Sequence, residues 1–128
     1  MLGGHLWFAV GLGGAIGAMA RYGVGIAAMR ALGPNFPWGT FSVNVIGCFA
    51  MGLFIAWLTA REPHSAAMRS FVATGMLGGF TTFSAFALEA VTLWRDRSLT
   101  VAGLYVLASV ILSIMALGAG LAAGRAIP

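Results

Sequence analysis

Residues 75–86 read GMLGGFTTFSAF, and this stretch decides how the chain is organised. It lies inside a long apolar segment where an uninterrupted helix would be expected. Instead it places Gly75, Gly78 and Gly79 ahead of Thr81, Thr82 and Ser84, interleaved with Phe80, Phe83 and Phe86. Each glycine costs a helix interior roughly 1 kcal/mol against alanine. An adjacent pair followed by hydroxyl side chains predicts that the backbone opens at the glycines, with a turn over residues 78–81. In a bilayer such an opening is allowed only where the freed amides and carbonyls face protein or a polar cavity. The break is therefore the candidate functional centre.

The segments around it set the class. The chain has 128 residues, 60% hydrophobic and 8% charged, with a mean hydropathy of +0.96. A soluble domain carries about 25% charged residues. The apolar runs are long and do not alternate, which predicts an all-α integral membrane protein and not a barrel. Four spans fit, at about residues 4–32, 38–60, 66–94 and 99–124, each meeting the requirement of about 20 helical residues. The connectors are Gly33-Pro34-Asn35-Phe36-Pro37, Arg61-Glu62-Pro63-His64-Ser65 and Arg95-Asp96-Arg97-Ser98. Their turn-forming composition supports this division. Residues 1–128 form a single transmembrane domain with a broken third helix. The N-terminal stretch lacks a basic leader and stays apolar past Gly25, so it reads as a first span and not a cleaved signal.

Charge excludes several functions. The high pI, near 10.7, comes from seven arginines and no lysine against three acids. These arginines form no cluster interleaved with aromatics, so no nucleic-acid partner is expected. His5 and His64 have no partners at metal-ligand spacing, which argues against a transition-metal site. No nucleophile–base set, phosphate loop or carboxylate pair is present, and an enzyme is not expected. The lone Cys48, in an apolar run, reads as a small packing residue.

The arginines also bear on orientation. With four spans, Arg61, Arg69 and Arg125 fall on one side and Arg30, Arg95 and Arg97 on the other. This three-to-three balance leaves the positive-inside rule without an instruction. Such a chain is able to insert both ways, and two copies could then pair antiparallel. Ala9, Gly13, Gly17, Arg21 and Gly25 recur every four residues on the first span, and Gly120 and Gly124 repeat the spacing on the fourth. Small residues so placed let helices approach closely in lipid.

Polar groups inside the spans are few and are read individually. Thr40, Asn44 and Gly47 share a face of the second helix, and Asn44 is either an interhelical tether or a pathway donor. Tyr105, Ser109 and Ser113 align over two turns of the fourth helix as a hydroxyl stripe suited to a lining. Thr82 and Ser84 alternate with Phe83 and Phe86, whose ring edges are positive. Hydroxyls, an amide and ring edges together can hold an anion without a full cation, and they suit a small hard anion best. Thr40 joins this candidate pathway through its neighbour Asn44. Arg21 and Glu89 read as structural or vestibule residues.

GGAIGAMARY (Gly13–Tyr22), WGTFSVNVIGCFAMG (Trp38–Gly52) and GMLGGFTTFSAF occur in that order in a four-span chain. Together with the Tyr105-Ser109-Ser113 stripe they resemble the CrcB/Fluc fluoride channels over nearly the whole chain. The resemblance implies an antiparallel, dual-topology homodimer in the cytoplasmic (inner) membrane that exports fluoride passively and relieves its toxicity. It implies two fluoride pathways per dimer, with Asn44, Phe83, Phe86, Tyr105, Ser109 and Ser113 contributing. It also implies a structural, untransported Na⁺ on the two-fold axis, held by backbone carbonyls of Gly78 and Thr81 from both copies. Phe80 departs from the smaller aliphatic residue common at that position and is not assigned to the pathway. The alternative from another class is a proton-coupled exporter like the small multidrug-resistance transporters, which requires an acid deep in the first helix. This chain has Arg21 there.

Overall fold

The computed structural model describes residues 3–61 and 63–128, so Glu62 of the second connector lies outside the described residues. Every regular element among them is helical. Helix α1 spans Gly4–Leu32 and α2 spans Trp38–Thr59. The third crossing is built from pieces: α3 (Ala66–Arg69), a π-helical stretch (Ser70–Leu77), α4 (Gly78–Phe80) and, past two extended residues, α5 (Phe83–Asp96). Helix α6 spans Leu99–Arg125. Four helical segments, Gly4–Leu32, Trp38–Thr59, Ala66–Asp96 and Leu99–Arg125, are long and apolar enough to cross a membrane. Their ends fall within two residues of the expected boundaries.

The connectors end these helices by ordinary capping chemistry. Gly33 adopts φ 80°, a left-handed conformation that glycine accepts at little cost, and donates its N–H to Met29 O at 2.9 Å. The side chains of Ser65 and Ser98 accept the amides of Met68 and Val101, N-capping α3 and α6.

Packing divides the molecule into two helix pairs. α1 lies chiefly along the π-helical stretch, and α2 chiefly along α6. Both pairs depend on glycine. A Cβ added to Gly52 would overlap Leu117 O, and one on Gly120 would overlap Phe49 O. On the other side, a Cβ on Gly13 would overlap Phe71 O, and one on Gly17 would overlap Met76 O. Because lipid removes the hydrophobic drive for helix association, such close backbone approach supplies much of the attraction.

The structure moves the break. Gly78 is helical at φ −62° and ψ −39°, and Gly75 lies within the π-helical stretch. The chain leaves helical geometry only at Thr81 (φ −83°, ψ 157°) and Thr82 (φ −151°, ψ 121°). These conformations suit a β-branched residue and need no glycine. Gly75 and Gly79 serve proximity instead: an added Cβ would come 3.0 Å from Gly13 Cα and 2.7 Å from Gly14 O respectively. The predicted turn over residues 78–81 is thus corrected to an extended step at 81–82. The break also separates the third crossing into two packing regimes. Its first half lies on α1, whereas α5 packs on α6 through a core of Phe86, Leu93, Ala102 and Tyr105.

Gly17→Val tests this packing, since it drives a branched side chain into the Met76 carbonyl. Overpacking of this kind costs about 1–3 kcal/mol or more. The purified variant is expected to melt at a lower temperature in detergent and to lose its monodisperse elution peak. A melting temperature equal to wild type would show that α1 does not sit on the π-helical stretch.

Candidate functional site

The extended step at Thr81–Thr82 leaves backbone groups that an unbroken helix would satisfy. Asn44 on α2 takes up both groups of Thr82. Its Oδ1 accepts the Thr82 N–H at 2.8 Å, and its Nδ2 donates to Thr82 O at 3.1 Å. This pairing fixes which end of the amide is oxygen, because the backbone N–H can only donate. Asn44 is therefore a tether, with one Nδ2 hydrogen left over. Thr82 Oγ1 in turn accepts the Ala85 N–H at 3.3 Å, N-capping α5, and lies 3.5 Å from Ser84 Oγ.

Among the carbonyls of residues 78–81, two lose their helical donors to side chains. The Thr82 amide would close onto Gly78 O in a continuous helix, and the Ala85 amide onto Thr81 O; both are diverted to side chains. The neighbouring carbonyls are served. Leu77 O accepts the Thr81 N–H at 3.1 Å and Thr81 Oγ1 at 3.0 Å, and Gly79 O accepts Arg21 Nε at 3.0 Å. Arg21 thus anchors α1 to the last turn before the break.

A groove of about 300 Å³ opens beside the step, lined by Asn44, Thr81, Thr82, Phe83, Phe86, Ser109 and Ser113, with Cys48, Val110 and Ile114 completing the wall. The Phe83 and Phe86 rings are 5.6 Å apart and tilted by 63°. Phe86 is buried, but Phe83 is 78% exposed, and several other large apolar side chains of the spans are exposed as well. Ser109 is 4% exposed and its Oγ has no hydrogen-bond partner among the described residues, while Ser113 Oγ, beside the Cys48 thiol, makes no bond of ordinary hydrogen-bond geometry. A buried hydroxyl left unpaired costs about 1–3 kcal/mol. Two such residues line one groove. On an otherwise mostly apolar wall, the hydroxyls and the Asn44 amide are the polar groups, and none carries a formal charge.

Three further polar residues of the spans gather one turn away. Glu89 on α5 accepts from Thr40 Oγ1 at 2.8 Å and from Tyr105 Oη at 2.9 Å. Charged acceptors make such bonds stronger than neutral pairs. Tyr105 is fully buried, with its ring 5.3 Å from Phe86 on one side and 5.3 Å from Phe36 on the other, the latter edge-on at 90°. The expected Tyr105-Ser109-Ser113 stripe is thus divided: its two serines face the groove, and its tyrosine serves Glu89. Thr40 and Asn44 share a helix face as expected, and both reach the third crossing, at Glu89 and Thr82. A second cavity of about 450 Å³, with Arg21, Arg30, Thr40 and Thr82 in its lining, lies on the α1 side. Thr82 lines both cavities.

Two residues enter the site that the sequence reading passed over. Cys48 lines the groove and is not plain packing; its spacing of four from Asn44 was the available signal. Phe36 comes from the first connector, and nothing in its local pattern points to Tyr105. Phe80, not assigned to a pathway, packs towards Gly47 on α2, where an added Cβ would fall 3.2 Å from its ring.

Tyr105→Phe removes the donor to Glu89 Oε2 while keeping the ring, and Thr40→Val does the same at Oε1. Leaving a part-buried carboxylate oxygen unpaired costs about 1–3 kcal/mol. Each variant is expected to melt at a lower temperature than wild type, and the double variant to differ from the sum of the two. Wild-type melting of both single variants would show that these bonds carry no stability.

Comparison with known proteins places this geometry. The family model described as CrcB-like protein, Camphor Resistance (CrcB), matches residues 8–121. The fluoride-specific ion channel FluC of Paracoccus denitrificans is 55% identical over 121 residues, covering 94% of this chain and 95% of its own. That of Mesorhizobium japonicum is 53% identical over 117 residues, with 91% and 94% covered. That of Agrobacterium fabrum is 52% identical over 116 residues, with 91% and 93% covered. With a family match across most of the chain and relatives half identical over nearly their full lengths, this protein belongs to the CrcB family.

Proposed function

We propose that the chain is a fluoride-selective channel that lets fluoride leave the cell passively across the cytoplasmic membrane, relieving its toxicity. The observation that carries this reading is the pair of hydroxyls without an ordinary hydrogen bond, Ser109 and Ser113, in a groove that also presents Asn44, Phe83 and Phe86. The named function of its relatives points the same way. Fluoride is small and strongly hydrated, and burying an unpaired ion is expensive. Donors must therefore replace its water as it enters. The two hydroxyls can turn to do so, and the spare Asn44 hydrogen and the ring edges extend the line. Neutral donors hold the ion weakly enough to release it, as conduction requires. The small multidrug-exporter alternative gains no support, since the charged positions of α1 are Arg21 and Arg30.

The unit of function in this proposal is an antiparallel homodimer. The exposed Phe83 beside the break, and the balanced arginines, support a second copy crossing in the opposite sense. Gly78 adds to this. Of the three glycines in residues 75–86, it alone has room for a Cβ, whose nearest neighbour would be Ala73 O at 3.6 Å. Contacts within the chain do not explain its small size, whereas close approach of a partner at the axis does. The last helical residues before the break and the extended step suit a structural sodium ion. Carbonyl oxygens are the ligands a hard cation prefers, and Gly78 O and Thr81 O are two whose helical amides are taken by side chains. Two copies would offer four such oxygens around one ion, which would hold the broken helices together without entering the anion path.

Efflux from liposomes, followed with a fluoride electrode, tests the channel reading. Wild type is expected to release fluoride and retain chloride, and Phe83→Ile or Asn44→Asp to abolish release while the dimer persists. Absence of fluoride release by wild type, or equal chloride release, would overturn the reading. Wild-type rates from both variants would remove the aromatic and amide assignments.

The assembly is tested separately. C-terminal reporters for each compartment are expected to show both orientations, and labelling on one side alone would rule out dual topology. Exhaustive sodium removal is expected to lower dimer stability, and an unchanged dimer would count against the ion.

A further inference from the structure

The groove holds a donor that the pathway above does not use. Cys48 follows Asn44 by one helical turn on α2 and lines the same wall, beside Ser113 of α6. It is half-buried, and it is the only cysteine of the chain. One turn before Ser113, Ser109 lines the same groove, 96% buried and with its hydroxyl without a partner among the described residues. The thiol therefore sits in a cavity whose other polar groups are arranged to receive a ligand. This differs from a cysteine filling a gap in an apolar core.

We infer that Cys48 Sγ forms part of the wall of the anion path, with the Ser109 and Ser113 hydroxyls, and that a mercuric ion bound there closes the path. The inference rests on the channel reading. A thiol is a weak hydrogen-bond donor, so Cys48 contributes little to holding a hard anion. It is, however, the one soft ligand in the groove, and soft cations select thiolate sulfur. When Hg²⁺ enters, the Sγ–H proton passes to water and an Sγ–Hg bond forms, with no change of oxidation state. The remaining coordination of the ion can be met by water or the neighbouring hydroxyl oxygens. An occupant held by a metal–sulfur bond leaves slowly, and conduction fails when a site on the path does not empty.

The experiment uses the full chain in liposomes. Fluoride efflux is measured before and after mercuric chloride, then after excess dithiothreitol, and occupancy of Cys48 is read by mass spectrometry. Wild type is expected to lose most of its efflux as Cys48 becomes labelled and to regain it with dithiothreitol. Cys48→Ala, compared with its own untreated rate, is expected to be insensitive. Complete labelling with unchanged efflux would put the thiol off the path, and failure of labelling in the folded protein would show that the groove does not admit the ion. Equal inhibition of Cys48→Ala would place the block elsewhere. Wild-type liposomes without efflux before mercury would overturn the channel reading itself, a result distinct from any of these.

Discussion

Asn44 gives both ends of its amide to Thr82, at the point where the third crossing stops being a helix. Much of the site depends on that pair of bonds. An extended step inside a bilayer exposes a backbone N–H and C=O to an environment that cannot satisfy them, and each such group costs several kcal/mol. A carboxamide donates from one atom and accepts on another, so a single side chain can serve a backbone N–H and its C=O together. It meets both needs from a neighbouring helix. The tether also sets what is left over: one Nδ2 hydrogen for the groove, and a Gly78 carbonyl deprived of its helical amide.

The glycines perform a different task from the one their positions first suggest. They do not provide conformational freedom at the break, because the residues that leave helical geometry are threonines. They remove side chains so that α1 can lie against the π-helical stretch and α2 against α6. Arg21 completes the same contact by donating to Gly79 O. The first half of the third crossing is therefore held by α1 and the second half by α6. The extended step is where the chain passes from one partner to the other. Helix half-ends pointing into a site are a recurring device in membrane transport, since each exposes amides or carbonyls of fixed polarity.

Two sets of polar groups in the spans contrast with one another. Thr40, Glu89 and Tyr105 satisfy one another, with Phe86 and Phe36 packed on the tyrosine ring. Ser109 and Ser113 make no bond of ordinary hydrogen-bond geometry among the described residues, and they share a groove with the Asn44 amide and two phenyl rings. A closed network rigidifies, whereas open donors wait for a ligand. The difference lies in position and not in chemistry, since the hydroxyls of Thr40 and Tyr105 meet a fixed acceptor and that of Ser109 meets none.

By itself the sequence determined the membrane class, the four spans to within two residues of their ends, and the family. These rest on long apolar runs, on turn-forming connectors and on three motifs in order, all local properties of the chain. It also placed Asn44, Phe83, Phe86, Ser109 and Ser113 among the candidates that the groove gathers. It could not place the break, because whether a glycine frees the backbone or merely clears space depends on the helix beside it. It could not divide the Tyr105-Ser109-Ser113 stripe, because the division follows from Glu89 reaching Tyr105 across a helix interface. Nor could it bring Cys48 or Phe36 to the site, since a groove wall and a loop seated on a ring exist only once helices distant in sequence pack. Only the tertiary structure decided these points, because each turns on which donor meets which acceptor across a helix interface.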